Sequence, residues 1–88
     1  MPAPLNTETA LDVLLALALY QGRSRRSPSI QELAGDMGVP RTTLHHRLAV
    51  LKGRGLVAWE SGQPRTLVIT PDGDRLLTEN GRVEVSHW

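Results

Sequence analysis

The sequence predicts a mainly α fold with one small β-hairpin, an α+β arrangement of three helices, a two-stranded hairpin and a fourth helix. Three observations carry this prediction. Apolar residues recur at helical spacing in three successive blocks, each bounded by a capping residue and a glycine or proline stop. Two short runs, Leu56-Val57-Ala58-Trp59-Glu60 and Arg65-Thr66-Leu67-Val68-Ile69-Thr70, flank the turn Ser61-Gly62-Gln63-Pro64 and read as paired strands. Thr70-Pro71-Asp72 then supplies an N-cap, a proline at the first helical position and an acid in the first turn. With 88 residues there is room for one domain, residues 1–88, burying about 60–70% of its unfolded surface.

Residues 1–6, with prolines at 2 and 4, read as a flexible leader whose last residue, or Thr7, caps helix 1. Helix 1 is expected over 7–21, with Gly22 as its C′ stop. Leu11, Leu14, Leu15 and Ala18 form one stripe, and Val13, Leu17 and Tyr20 a second on roughly the opposite side. A helix apolar on two sides must be covered on two sides. Gly22-Arg23-Ser24-Arg25-Arg26-Ser27-Pro28 is a loop whose arginines either touch phosphates or are simply solvated. Ser29-Ile30-Gln31-Glu32 is a capping box opening helix 2, expected over 29–38, with Ile30, Leu33, Ala34 and Met37 inward and Gly38 as a left-handed stop. Pro40 starts helix 3, residues 40–53. The hairpin takes 56–70, helix 4 takes 71–80, and 81–88 is a tail, either a short strand or disordered.

Helix 3 organises the reading. Leu44, Leu48 and Leu51 recur at i, i+4 and i+7 as one apolar stripe. Thr42, Thr43, His45 and His46 point elsewhere, flanked by Arg41 and Arg47. Helix, glycine turn, helix is the helix-turn-helix pattern, and a helix carrying donors and cations on its outer face suits the DNA major groove. Arg41 or Arg47 can fork onto a guanine, and the threonines can meet thymine methyls or phosphates. Arg47 has two other readings, a phosphate clamp or an intramolecular pair with Glu32 or Asp36.

The net charge of +1 conceals an asymmetry. Residues 23–65 carry eight basic and three acidic side chains, while the rest carries two basic and six acidic. A basic middle with acidic ends indicates a polyanion-facing surface. The apolar run 11–20 is no signal peptide, since Glu8 and Asp12 replace a basic leader, and it has about half the ~20 residues that span a bilayer. No membrane partner is expected. The absence of cysteine fits the cytoplasm and rules out disulfides and thiolate metal sites. His45 and His46 diverge by about 100° on a helix and lack a third ligand, so no metal is expected. Asp72-Gly73-Asp74 fails as a calcium loop, because its twelfth position is Val83. Gly53-Arg54-Gly55 fails as a dinucleotide fingerprint, because Ala58 stands where the third glycine would be. No nucleophile–base–orienter set is visible, so neither a cofactor nor an enzyme is expected, and Trp59 reads as core.

This order resembles the winged helix-turn-helix DNA-binding domains of bacterial and archaeal transcription regulators. Val39-Pro40-Arg41-Thr42-Thr43-Leu44-His45-His46-Arg47-Leu48 is similar to the recognition helix of IclR-type regulators. Leu67-Val68-Ile69-Thr70-Pro71-Asp72-Gly73 is similar to the wing strand and helix start of MarR-type regulators, and residues 26–67 resemble the LexA DNA-binding domain. The resemblance implies a cytoplasmic, prokaryotic, phage- or archaeal-virus-encoded regulator, a repressor in many relatives. It puts base reading on Arg41, Thr42, Thr43, His45 and His46. Independently of the resemblance, the charges make Arg47, Lys52 and Arg54, with Arg25 and Arg26 of the loop, candidate backbone contacts. The wing tip, at Gln63, Pro64 and Arg65, meets minor groove or backbone. Pro40 replaces the usual serine cap, and the wing turn reads as short.

The expected partner is therefore double-stranded DNA. The alternatives are a protein-binding winged-helix module and a replication or mobile-element accessory protein. No separate effector domain fits, so any small-molecule effector would sit between helix 1 and the C-terminal segment. The second stripe of helix 1 has two possible covers. One is the chain's own C-terminal segment. The other, favoured because two copies read a palindrome, is a homodimer through Val13, Leu17, Tyr20, Leu76, Leu77 and Trp88.

Overall fold

The chain forms, in order, α1 (Thr7–Ser24), α2 (Ile30–Met37), α3 (Arg41–Gly53), β1 (Val57–Ala58), β2 (Val68–Ile69) and α4 (Pro71–Glu79). The computed structural model describes residues 6–63 and 65–81. The leader before Asn6, Pro64 at the wing tip, and the tail including Trp88 lie outside the described residues.

Asn6 caps α1 by accepting from the Thr9 amide at 2.8 Å. The helix does not stop at Gly22 as its sequence suggested. It continues to Ser24, and Arg25 takes the left-handed conformation (φ 57°), donating its amide to the Gln21 carbonyl at 2.8 Å. Tertiary anchoring explains the extension: Tyr20 is buried, and the Gln21 amide group donates to Ser27 Oγ and the Leu67 carbonyl, both at 3.4 Å. These contacts hold the last turn helical despite glycine's low propensity.

α2 begins with the complete capping box: Ser29 Oγ accepts from the Glu32 amide at 3.1 Å, and Glu32 Oε1 accepts from the Ser29 amide at 2.9 Å. Gly38 ends it at φ 72°, and the Val39 amide reaches back to the Ala34 carbonyl. Three residues later α3 starts, and its stripe Leu44, Leu48 and Leu51 is fully buried.

The hairpin is shorter in strand and longer in loop than expected. β1 and β2 pair antiparallel with Val57 opposite Ile69 and Ala58 opposite Val68. The segment between them is held by side chains. The Trp59 carbonyl accepts from Lys52 Nζ at 3.3 Å and the Leu67 carbonyl from Gln21, both just outside the ladder. Thr66 closes the loop, its hydroxyl accepting from the Glu60 amide at 2.8 Å and donating to the Gln63 carbonyl at 3.0 Å.

α4 returns the chain to the start of the hairpin. Thr70 caps it, accepting from the Gly73 amide at 3.1 Å, while its hydroxyl donates to the Gly55 carbonyl at 2.6 Å. Gly73 is buried against the backbone of Leu56, and a Cβ there would overlap the Leu56 carbonyl. No other residue fits this approach.

One core joins all elements, with α1 packed on α2, α3, β2 and α4. Val13, Leu17 and Leu77 are 0% exposed and Tyr20 8%, and Leu76 is half-buried against the core. This corrects the expectation of a dimer face there: the chain's own elements cover Val13, Leu17, Tyr20 and Leu77 and leave them no surface for a second copy. The large apolar side chain that α1 does expose is Leu19 (58%).

Two stability outcomes follow from this packing. Leu17→Ala should cost about 2–5 kcal/mol in chemical denaturation, and Leu17→Glu should unfold the monomer. A folded monomeric Leu17→Glu protein would contradict the core assignment. Gly73→Ala should cost about 1–3 kcal/mol or more by overpacking, whereas Gly22→Ala, where a Cβ meets nothing, should be neutral or stabilising in the same titration.

Candidate nucleic-acid interface

Burying Leu44, Leu48 and Leu51 fixes what α3 turns outward. Thr42, His45, His46 and Ala49 are exposed, and on a 100° repeat they share one face. Arg41 and Lys52 lie on the flank toward the wing, also exposed, while Thr43 and Arg47 lie on the opposite flank, half-buried. Arg54 follows the helix as its C-cap. The sequence-predicted reading residues are thus brought together, with Thr43 displaced to the side. Ala49 was missed, although it stands seven residues after Thr42. Its small side chain leaves the centre of the face low.

The start of α3 has no side-chain cap, because Pro40 offers none. Its first-turn amides, at Arg41, Thr42 and Thr43, carry the positive end of the helix dipole, an arrangement suited to an anion. Arg41 and Arg47 enter no ion pair among the described residues, so Arg47 does not pair with Glu32 or Asp36. Asp36 pairs instead with Arg23 at 2.9 Å.

Trp59 proves to be the joint between α3 and the wing. Half-buried, it receives Lys52 Nζ 4.4 Å from its ring centroid and His45 edge-on at 6.5 Å and 60°. Lys52 and His45 stand seven residues apart, so one indole sets the lean of both. The spacing was visible in the sequence, but the partner lay beyond the glycine bridge.

Beside this joint runs a cleft of about 580 Å³ between the wing and the starts of α2 and α3, lined in part by Gln31, Arg41, His45, Trp59, Gln63 and Arg65. A wider groove of about 990 Å³ lies between the end of α1 and the start of α4, with Arg25 and Arg26 on its rim.

Arg65 does not reach out from the wing tip. In the left-handed conformation (φ 62°) it forks onto Glu32, Nη1 to Oε1 at 2.7 Å and Nη2 to Oε2 at 3.1 Å. Arg26 approaches the same carboxylate at 3.7 Å. The Arg65 hydrogen bonds, aided by the Ser29 amide, lower the Glu32 pKa from 4.5 to about 2, and Tyr20 adds a smaller hydrogen-bonding contribution. Arg65 is held further toward its charged form. Among the described residues, no group of three or more His, Asp or Glu side chains is placed to hold a metal ion, and no helix is long and apolar enough to cross a membrane.

Helix, turn, uncovered helix and hairpin wing define the winged helix-turn-helix class, the fold of DNA-binding transcription regulators. The IclR helix-turn-helix domain matches residues 7–61, well over half of the chain, and the chain belongs to that family. The match takes in α1 through the first part of the wing and ends before β2. Among curated proteins none matches the chain.

The Glu32 pairing has a pH signature. A carboxylate with a depressed folded pKa contributes stability that is fully present above its unfolded value near 4.5 and lost as pH falls toward 2. Chemical denaturation of the wild type should therefore show stability declining through that window. Glu32→Gln should flatten this part of the profile, and an identical decline in the variant would assign the effect to other carboxylates.

Proposed function

We propose that the protein is a sequence-specific double-stranded DNA-binding transcription regulator that inserts α3 into the major groove. The observation that carries this reading is the outer face of α3, where Thr42, His45, His46 and Ala49 stand exposed between flanks bearing Arg41, Lys52 and Arg47. Thr42, His45 and His46 read base edges, and Ala49 allows close approach. Arg41, Arg47, Lys52 and Arg54 meet phosphates on the groove's two sides, and the uncapped start of α3 receives one more. Membership of the IclR helix-turn-helix family supports the same reading. The cations on both flanks of the third helix favour a polyanion over a protein partner.

The test is retardation of duplex DNA across a salt series, followed by in-vitro site selection. Log affinity should fall with log salt by about 0.9 for each phosphate neutralised, and Arg41→Ala should weaken all sequences alike and reduce that slope. His46→Ala should keep the fold but relax the selected sequence, costing roughly 1–3 kcal/mol of discrimination at the position it reads. A wild type that retards no duplex at any salt would end the DNA reading. An unchanged selected site in a folded His46→Ala protein would remove His46 from base readout.

A further inference from the structure

Glu32 stands where three separate parts of the chain meet. It caps α2 through the Ser29 amide, takes the forked guanidinium of Arg65 from the wing, and has Arg26 of the α1–α2 loop at 3.7 Å. Arg65 lines the same cleft as Arg41 and His45 of the reading helix, so its cation lies beside the proposed DNA face. Both arginine side chains remain substantially exposed, 41% for Arg65 and 55% for Arg26. A guanidinium fork fits a phosphate as well as a carboxylate, and exposed ion pairs are weak enough to exchange.

We propose that Glu32 is an internal competitor of the DNA backbone, holding Arg65 and Arg26 away from phosphate and so limiting sequence-independent affinity. This rests on the DNA-binding reading above. A phosphate that captured Arg65 would strip Glu32 of its closest cation and leave its carboxylate facing the polyanion. Only a duplex whose base contacts offset that cost gains the extra arginines. A random duplex does not, and the difference widens specificity by penalising the wrong partner. The sequence showed Glu32 as a capping residue and a candidate partner of Arg47, but not of Arg65, because that wing residue is 33 positions away.

The experiment is a two-residue cycle read by salt dependence on a random-sequence duplex between 50 and 200 mM salt. Glu32→Gln keeps a capping-box residue at its position and removes the competing charge. It should tighten binding at low salt and steepen the slope by about 0.9 per released arginine, about 3.5-fold in affinity over that salt range for each. Adding Arg65→Ala should remove that gain in the Glu32→Gln background and change the slope much less in the wild-type background. Equal effects of Arg65→Ala in both backgrounds would reduce Glu32 to a general surface charge and overturn the proposal. Glu32→Asp retains the charge while shortening the arm, so it should also steepen the slope. An unchanged slope in a folded Glu32→Asp protein overturns the proposal even if the Gln variant fails to fold. A wild type that binds with clear salt dependence while the cycle is additive removes this proposal alone. A wild type that retards no duplex removes the DNA reading and this proposal together.

Discussion

The two-sided burial of α1 is the constraint on which the rest of the structure depends. Its stripes face nearly opposite ways, and the chain must cover both. α2 and α3 take one side; β2 and α4 take the other. Once those four contacts are made, the orientation of α3 is no longer free, because Leu44, Leu48 and Leu51 have a single place to go. The outward face of α3 is therefore a consequence of the core. Burial of side chains such as Leu14 and Leu17 is worth about 1.5–3 kcal/mol each, against about 0–1 kcal/mol for an exposed ion pair, so the outer face of α3 can vary without deciding the fold.

The wing follows a different logic. Two residue pairs of ladder cannot hold a hairpin in place. What fixes it is a set of side chains reaching from the helical core: Gln21 to Leu67, Lys52 to Trp59, Glu32 to Arg65, and Thr70 to Gly55. Each comes from a different helix or helix cap, so the wing's position reports the positions of α1, α2, α3 and α4 together. The close seat of Gly73 on Leu56 adds a backbone contact at the hairpin's base, which accounts for the glycine in the threonine-proline-acid-glycine step where strand becomes helix.

Elements set by local chemistry were legible in the sequence. The capping box at Ser29, the left-handed stop at Gly38, the stripe of α3 and the cap at Thr70 all lie within a few residues of their partners, and the structure has them as read. What was illegible depended on distant partners. Gly22 looked like a helix stop because nothing nearby reveals that Gln21 is tied to Leu67. Arg65 looked like a phosphate contact because Glu32 is far away in sequence. Val13, Leu17 and Tyr20 looked like a dimer face because periodicity shows that a stripe needs a cover without showing which segment supplies it. The exposure of Thr42, His45 and His46 on one face was legible, since a buried stripe defines its opposite face by geometry alone. Trp59 was read as core; it packs half-buried against the core and also sits at the joint between helix and wing.

A small domain has few residues to spare, and this one lets single side chains serve several constraints at once. Trp59 packs the wing, orients Lys52 and borders His45. Glu32 completes a helix cap, ties the wing to α2 and places a negative charge beside a basic surface. Economy of this kind couples properties that larger proteins separate. Where one carboxylate both fixes the wing and faces the same arginines a phosphate would seek, geometry and electrostatics cannot be tuned independently. Under the proposal above, any change that frees those arginines for phosphate also loosens the strut that holds the wing against α2. On that reading, the balance between non-specific attraction and a fixed recognition geometry rests on the same few atoms, and the specificity of the interface is tied to the integrity of the fold.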